Sequence, residues 1–500
     1  MGADQHIVML PFMAHGHLIP FLALARQIQE RSGFKITIAN TPLNVQYLRS
    51  TISKTSTNSN IHLAELSFSS TQHGLPPNTE NTENISLSEM SKFFHASSSL
   101  EAPLRQLVSD ITNQEGRPPL CIISDVFFGW AVNVANSLGT KIISFTTCGA
   151  YGTMAYVSLW LNLPHRSTDS DEFHVPGFPE NHRFHRSLLH KFLNDADGTD
   201  VWSKYFQPQI LLSIKSDGWL CNTVEEIEPL GLEILRKYIG VPVWTIGPLL
   251  PPSALKKSSS SDSSISIHGA GKEPGMAAEK IVKWLDLQEE YSVVYISFGS
   301  QNTISETPTM ALARGLEASG KPFIWVIRPP LGFDINGEFK AEWLPEGFEE
   351  RMKESKRGLL VRNWAPQLEI LSHKSVGVFL SHCGWNSVLE SLSQGVPIIG
   401  WPMAAEQSYN SKMLMEEMGV NVELTRRVES VISWMEVKKV IEMVMNREGK
   451  GKEMKKKAAE ISEKIRRAKT EEGEEQGSSV FALDEFLRTT SSTKRQFSFR

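Results

Sequence analysis

Two histidines separated by one glycine, His15 and His17, follow the first apolar run of the chain in the stretch FMAHGHLIP at 12–20. Histidine gains and loses a proton near neutral pH, so the pair suggests either general-base catalysis or metal ligation. A metal site would need a third and a fourth ligand, and the sequence contains no HExxH motif to supply them. The pair therefore favours base chemistry.

His17 is the better placed of the two, because it stands where a helix over 18–30 is predicted to open. Positive partial charge at a helix start disfavours the imidazolium and leaves the ring able to accept a proton. Asp125 comes at the end of a buried strand, and the carboxyl ends of parallel strands share one sheet edge, so its carboxylate can meet His17 Nδ1–H. Asp125 also suits the N-cap of the next helix, and spacing leaves both roles open.

A second group of polar residues lies in WAPQLEILSHKSVGVFLSHCGWNSVLESLSQGVPIIGWPMAAEQ, residues 364–407. His382 ends an apolar strand, and a helix is expected to begin near Asn386 and Ser387, where unpaired N–H groups suit a phosphate. Ser387 and Glu390 also match an S-x-x-E capping box, and Trp364 can either stack on a base or pack in a core. Spacing decides neither question.

The elements that must position these residues form two α/β halves. Near-continuous apolar strands that alternate with helices indicate a parallel sheet covered on both faces. In the first half the strands are predicted at 6–12, 35–40, 120–127, 141–147, 217–224 and 241–248, with helices at 19–33 and 129–139. In the second half they are predicted at 292–300, 322–328, 358–364, 376–382 and 396–402, with a helix at 309–320 that Gly320 ends.

This pattern predicts two Rossmann-like, doubly wound domains that face a cleft, 1–250 and 276–475. Residues 251–275 are rich in Ser, Gly and Pro and are typical of a linker. An amphipathic segment at 476–490 predicts a final helix that packs back toward the first domain. Residues 491–500 are expected to be a disordered tail.

Composition narrows the function classes. The chain has 500 residues with a net charge of −5, which argues against nucleic-acid binding. Its four cysteines form no CxxC pair, so we expect a reducing, cytoplasmic location. The sequence has no apolar run of about 18 residues, and we expect no membrane span. Without a GxGxxG fingerprint after any predicted strand, a nicotinamide oxidoreductase is disfavoured.

Residues 364–407 resemble the signature box of plant family 1 UDP-dependent glycosyltransferases, from WAPQ through HCGWNS to WPMAAEQ. The resemblance extends to GHLIP, to CIISDVFFGWAVNVANSLG and to SFGS, and so covers nearly the whole chain. It implies the GT-B fold, with an N-terminal acceptor-binding domain and a C-terminal UDP-sugar-binding domain.

The resemblance also implies roles for single residues. Trp364 would stack on uracil, Ala365 would pair with its edge through the backbone, and Gln367 and Glu390 would lie at the ribose. The diphosphate would be bound by His382, Asn386, Ser387 and Ser300. The sugar would be contacted by Trp385, Glu406 and Gln407, and the residues at 385 and 407 fit UDP-glucose rather than a glucuronate donor.

The same resemblance makes His17 the general base and Asp125 its partner, and leaves His15 as a loop residue near the diphosphate or the acceptor mouth. It implies inverting, metal-independent transfer of glucose from UDP-glucose to a hydroxyl of a flavonoid, phenolic or terpenoid, by a monomer without further cofactors. A non-catalytic UDP-sugar or aglycone binder is the competing hypothesis. Six aromatic residues can line the acceptor pocket or belong to the core: Phe12, Phe94, Phe127, Phe128, Trp130 and Tyr151.

Overall fold

The computed structural model describes residues 5–53, 60–86, 88–255, 275–335, 337–427, 430–471 and 476–492. The chain divides into two compact units, the first of Met1–Leu249 with Ala468–Arg500 and the second of Leu250–Arg467. The second unit therefore ends earlier than the expected boundary at 475. Most of the expected linker, 256–274, and most of the expected tail, 493–500, lie outside the described residues.

Parallel strands form the sheet of the first unit. They are β1 (His6–Leu10), β2 (Lys35–Asn40), β3 (Ile61–Glu65), β4 (Cys121–Asp125), β5 (Lys141–Thr146), β8 (Gly218–Cys221) and β9 (Val243–Thr245). Between β5 and β8 the chain forms a separate antiparallel hairpin of β6 (Glu172–His174) and β7 (Arg183–His185). Their order is β3-β2-β1-β4-β5-β8-β9. The order reverses between β1 and β4, and ligands of such sheets bind beyond the strand ends at this point.

The helices of the first unit cover this sheet. They are α1 (His15–Ser32), α2 (Pro42–Ser53), α3 (Met90–Ser97), α4 (Glu101–Glu115), α5 (Ala131–Ser137), α6 (Ala150–Asn162), α7 (Lys191–Asp195), α8 (Val201–Ser213) and α9 (Pro229–Ile239). Apolar residues of α1 such as Phe21 and Ile28 pack with strand residues such as Ile36 in one buried cluster.

The first helix begins earlier than its sequence predicts. The N–H groups of His17 and Leu18 both donate to the Ala14 carbonyl, at 2.9 Å each, which fixes the start of α1 at His15. In a helix that opens at 18, Pro20 would lie in the first turn, but it is the sixth residue of α1. The predicted end at Gly33 is confirmed: its φ of 70° is left-handed, a conformation that glycine adopts without steric cost.

The sheet of the second unit repeats the doubly wound design. Its strands are β10 (Val293–Ser297), β11 (Phe323–Ile327), β12 (Gly358–Arg362), β13 (Val376–Ser381), β14 (Ile398–Gly400) and β15 (Asn421–Glu423), in the order β12-β11-β10-β13-β14-β15 and parallel throughout. The order reverses between β10 and β13, so here too one pair of strand ends defines a site.

The helices of the second unit lie between these strands in sequence. They are α10 (Ala278–Leu285), α11 (Glu306–Ser319), α12 (Phe348–Glu354), α13 (Gln367–Ser372), α14 (Trp385–Ser393), α15 (Gln407–Glu416), α16 (Trp434–Val444) and α17 (Gly449–Ala468). Gly320 ends α11 with a φ of 66°, which confirms the predicted C-cap. Two parallel α/β units confirm the expected fold class.

The final helix, α18 (Ser478–Ser492), belongs to the first unit. Its apolar face joins the core beneath the sheet, where Phe486 packs edge-on against Trp244 of β9 with ring centroids 5.4 Å apart. Leu483 and Leu487 lie in the same buried cluster. Across the described residues, no helix is both long enough and apolar enough to traverse a bilayer.

Candidate active site

The structure brings His17 and Asp125 together at the switch point of the first sheet. His17 is the third residue of α1, just after β1, and Asp125 is the last residue of β4. Nδ1 of His17 lies 2.6 Å from Oδ2 of Asp125, whose side chain is fully buried while that of His17 is 22% exposed. A carboxylate can only accept here, so Nδ1 carries the proton and the lone pair of the neutral ring is on Nε2.

Asp125 is held in place by a second contact. Its Oδ1 accepts a hydrogen bond of 3.0 Å from the backbone N–H of Phe127, while the hydroxyl of Thr147 lies 3.5 Å from His17 Nδ1. The carboxylate therefore has one oxygen on the loop after β4 and the other on the imidazole. The N-cap alternative for Asp125 is wrong, because α5 begins at Ala131 with Trp130 as its N-cap and without a side-chain capping bond. The contact with Phe127 is instead local to the loop after β4.

Aromatic rings surround His17. The rings of Phe12 and Phe127 each lie 5.5 Å from the imidazole. Phe127 is half-buried, whereas the other five aromatic residues named as pocket candidates are at most 9% exposed and belong to the core: Phe12, Phe94, Phe128, Trp130 and Tyr151. Among those six candidates, Phe127 therefore presents the most accessible ring beside His17.

His15 does not share the environment of His17, and it is a helical residue rather than the expected loop residue. As the first residue of α1, it stacks on Tyr47 with ring centroids 4.2 Å apart. Its Nδ1 lies 3.2 Å from a carboxylate oxygen of Glu83. These contacts attach the start of α1 to α2 and to the segment that contains Glu83.

In the second unit, Gln367 connects two of the residues that the sequence singled out. Its amide donates to Ser387 Oγ at 2.9 Å and to Glu390 Oε2, while its own oxygen accepts from the Tyr295 hydroxyl at 3.2 Å. The capping-box alternative for Ser387 and Glu390 is wrong, because α14 begins at Trp385 with Gly384 as its N-cap. Ser387 and Glu390 are instead one helical turn apart on the side that faces Gln367.

Glu390 has an unusual titration. Burial, opposed by the Gln367 hydrogen bond, raises the pKa of its carboxyl group to about 7. A carboxylate with this pKa changes its charge in the physiological range, and any ligand that donates hydrogen bonds to it favours the ionised form.

The start of α14 is shaped by glycines. A Cβ at Gly299 or at Gly384 would lie within 2.6 Å of His382 Nε2, so both glycines leave room for this ring beside the first helical turn. Cys383 has a φ of 63°, a left-handed conformation that costs a non-glycine residue energy. Ser381 Oγ accepts from its N–H at 3.1 Å and Asn410 donates to its carbonyl at 3.0 Å, which holds the strained turn.

His382 is neutral at physiological pH. Burial, together with the positive charge of Arg328, lowers the pKa of its imidazole to about 4, and the Ser297 carbonyl only partly opposes this. Arg328 was missed by the sequence reasoning, although it directly follows β11 at the same sheet edge. It donates to the Ser300 carbonyl at 2.7 Å and also to the Gly299 carbonyl.

The charge of Arg328 persists in this setting. Burial lowers the pKa of its guanidinium to about 10, which still leaves it protonated at neutral pH. One half-buried cation and one neutral histidine thus lie near the turn after β10. Backbone N–H groups at a helix start, next to a positive charge, favour an anion.

The remaining predicted donor-site residues fall near these groups in sequence but differ in exposure. Trp364 follows β12 and is half-buried, which argues against a purely core role. Ala365 and Trp385 are only 3% exposed, and Ser300 and Asn386 are half-buried.

Gln407 and Glu406 mark the start of α15. Glu406 is its N-cap residue without a side-chain capping bond, and Gln407 is its first residue. Oε1 of Gln407 accepts from the N–H groups of Met403 and Ala404 at 3.0 Å each. With both lone pairs of the oxygen occupied, the side chain can offer an incoming ligand only the donors of its amide nitrogen.

Two doubly wound units, one with a His–Asp pair and the other with a carboxylate and a helix start suited to an anion, are those of a GT-B glycosyltransferase that uses a nucleotide sugar. In keeping with this, residues 4–251 match the family model of the glycosyltransferase N-terminal domain, and residues 266–463 match that of the UDP-glucoronosyl and UDP-glucosyl transferases. The described residues contain no group of three His, Cys, Asp or Glu side chains that could hold a metal ion.

Known proteins resemble the chain over most of its length. It is 43% identical to UDP-glycosyltransferase 92A1 of Arabidopsis thaliana, over 97% of this chain and 96% of the relative. It is 48% identical to crocetin glucosyltransferase 3 of Crocus sativus, over 83% and 85%. The crystal structure of Glycyrrhiza uralensis UGT73P12 with glycyrrhetinic acid 3-O-monoglucuronide superposes with a TM-score of 0.81 at 28% identity, over 98% and 96%. The chain belongs to the plant family 1 UDP-dependent glycosyltransferases.

Proposed function

We propose that this enzyme transfers glucose from UDP-glucose to a hydroxyl group of a small lipophilic acceptor, a flavonoid, phenolic or terpenoid, with inversion at the anomeric carbon. The observation that carries the mechanism is the 2.6 Å contact between His17 Nδ1 and Asp125. The first unit supplies the base and the acceptor site, and the second unit supplies the donor site.

The proton of the acceptor hydroxyl passes to Nε2 of His17 as its oxygen attacks C1 of glucose. Asp125 keeps the proton on Nδ1 and stabilises the imidazolium that forms. The bond from C1 to the UDP oxygen breaks, and UDP leaves with the electron pair. A single displacement on an α-linked donor gives a β-glucoside.

The negative charge of the leaving diphosphate is met by the start of α14. Its first backbone N–H groups, Ser387 Oγ, and the side chains of Asn386 and Ser300 donate hydrogen bonds. Neutral His382 adds one donor from a buried ring. Arg328 contributes its charge indirectly, since it binds the backbone of the turn that contains Ser300.

The nucleoside is recognised by the cluster around Gln367. Trp364 stacks on uracil, and the backbone of Ala365 pairs with the base edge. Glu390 accepts from the ribose 2′- and 3′-hydroxyls, while Gln367 keeps its carboxylate oriented toward them.

Glucose is favoured by the amide nitrogen of Gln407, which donates to sugar hydroxyls, and Trp385 and Glu406 also contact the sugar. The relative from Crocus sativus is named a glucosyltransferase, which supports this choice. The decisive measurement is a panel of aglycones with UDP-glucose, UDP-galactose and UDP-glucuronate, read by mass spectrometry. Glucosides should dominate the products, and equal rates with the three donors would refute the sugar assignment. The Gln407→Leu variant should show a smaller ratio of the rate with UDP-glucose to the rates with the other two donors.

Binding of UDP-glucose should release protons near neutral pH. Because ribose hydroxyls donate to ionised Glu390, the complex stabilises the charged form and lowers the pKa of about 7. Affinity should therefore rise with pH through this range, by about tenfold between pH 6 and pH 8. Calorimetric titration at pH 6.5, in two buffers of different ionisation enthalpy, measures the protons released.

UDP-glucose is the proper titrant, because its substituted diphosphate has no proton to lose in this range. The Glu390→Gln variant is the matched control: it should bind more weakly and release no protons. Proton uptake by the wild type, or equal release by both proteins, would contradict the assignment of Glu390 to the ribose.

A further inference from the structure

A row of partly exposed rings extends from His17 across the first unit. We call it the aromatic row: His17, Phe127, Tyr156, His190 and Phe192, all half-buried. Successive ring centroids are 5.5, 6.0, 6.2 and 6.1 Å apart, so each ring contacts the next. The rings come from α1, from the loop after β4, from α6 and from the start of α7 with its N-cap residue, and together they offer a largely apolar surface that begins at the proposed base.

His190 brings polar ring nitrogens to the part of the row that is remote from His17. Its Nδ1 accepts the N–H of Leu193 at 3.4 Å, as the N-cap of α7. A ring whose Nδ1 accepts carries its proton on Nε2. Burial lowers the pKa of His190 to about 4, so at neutral pH the ring is uncharged and Nε2–H is a neutral donor.

This donor has no partner. Nε2 of His190 is shielded from solvent and makes no hydrogen bond among the described residues. The ring of Trp160 lies 6.1 Å from that of His190, and its Nε1–H is also shielded from solvent and makes no hydrogen bond among the described residues. Buried donors are nearly always satisfied, and an acceptor atom from a bound molecule would satisfy the Nε2–H of His190.

We propose that the aromatic row binds an extended aromatic acceptor whose glycosylated hydroxyl lies at His17, and that His190 Nε2–H donates to a second oxygen at the remote end of that acceptor. This rests on the proposed function and specifies its substrate class. The rings select a planar apolar body, and His190 selects the oxygen. His190 is thus a specificity-determining residue and takes no part in proton transfer.

Two pairs of probes isolate the remote oxygen: 4,4′-dihydroxystilbene with 4-hydroxystilbene, and 4,4′-dihydroxybiphenyl with 4-hydroxybiphenyl. In each pair the second compound lacks the remote hydroxyl and keeps the reacting one. The wild type should prefer the dihydroxy compound of at least one pair by about 10- to 100-fold in kcat/KM, since losing the oxygen leaves a buried donor unpaired. UDP-glucose is the donor throughout.

Three variants separate recognition from folding. His190→Phe keeps the ring and removes the donor, and His190→Asn keeps an N-cap for α7 but is too short to reach the oxygen. Both should reduce the preference, which is a ratio of two kcat/KM values measured on the same protein sample, to the statistical advantage of two equivalent hydroxyls. His190→Gln keeps both an acceptor for the cap and an amide donor, and should retain part of the preference.

The proposal would be overturned if the wild type showed no preference in either pair. It would also be overturned if the wild type turned over none of these probes while it glucosylated other aglycones. An unchanged preference in His190→Phe and His190→Asn would do the same. Failure of the proposed function looks different: no aglycone of any class would be glucosylated by the wild type.

Discussion

Replacing His17 by alanine is expected to lower kcat for transfer to a neutral alcohol by about 100- to 10,000-fold, with nearly unchanged affinity for UDP. The reason is that His17, held by Asp125, is the group proposed to receive the acceptor proton. Steady-state kinetics with a saturating donor, together with calorimetric titration of UDP, measure the two quantities. Retained turnover of a neutral alcohol would refute the base assignment.

The acceptor itself provides a sharper test of His17. 4-Nitrophenol is already ionised at mildly alkaline pH and has no proton to give up, so its glucosylation should suffer far less in His17→Ala. An equal loss with both acceptors would show that His17 acts in some way other than proton removal. His15→Gln, two residues away in the same helical turn, is the matched control and should keep the wild-type rate and pH profile.

Asp125→Asn is expected to lower kcat by about 100- to 1000-fold, because it favours the wrong tautomer of His17. Phe127 N–H already donates to Oδ1 of this side chain, so an asparagine would keep its oxygen there and turn its NH₂ toward the imidazole. Nδ1 would then have to accept, and the proton would move to Nε2, which is the nitrogen proposed to act as base. Kinetics with a neutral alcohol measure the loss.

A folding defect is distinguished from this effect by three readouts. The variant should unfold cooperatively near the wild-type temperature, should bind UDP normally, and should glucosylate 4-nitrophenolate at close to the wild-type rate. The double variant His17→Ala, Asp125→Asn should be no slower than His17→Ala alone, because the two residues act as one unit. Additive losses would mean that Asp125 contributes independently of His17.

Sequence patterns predicted those features that depend on strand ends. His17 and Asp125 were expected at one sheet edge because both follow buried parallel strands, and the structure places them 2.6 Å apart. Gly33 and Gly320 were expected to end helices because each stands at the end of a predicted helical pattern. Both have a left-handed φ. Such features follow from local chemistry and from one rule of topology.

Features that depend on where two elements meet were not predictable in the same way. The capping-box interpretation of Ser387 and Glu390 failed because Gly384 starts the helix three residues earlier, leaving both side chains to Gln367 of α13. Arg328 looked like an ordinary charged residue at a strand end until the fold placed it beside His382. No sequence spacing relates Gln367 to Glu390, since the rest of α13 and the whole of β13 lie between them in the chain.

The attachment of α18 to the first unit has a consequence for the order in which the protein is made. Leu483, Phe486 and Leu487 complete a core whose other residues, such as Ile7 and Phe21, leave the ribosome more than four hundred residues earlier. The apolar surface around Trp244 therefore stays exposed until the entire second unit has been synthesised and α18 can pack on it. A fragment that stops at the end of the first sheet would keep that surface exposed, so the first unit is continuous in space but cannot be obtained by cutting the chain once.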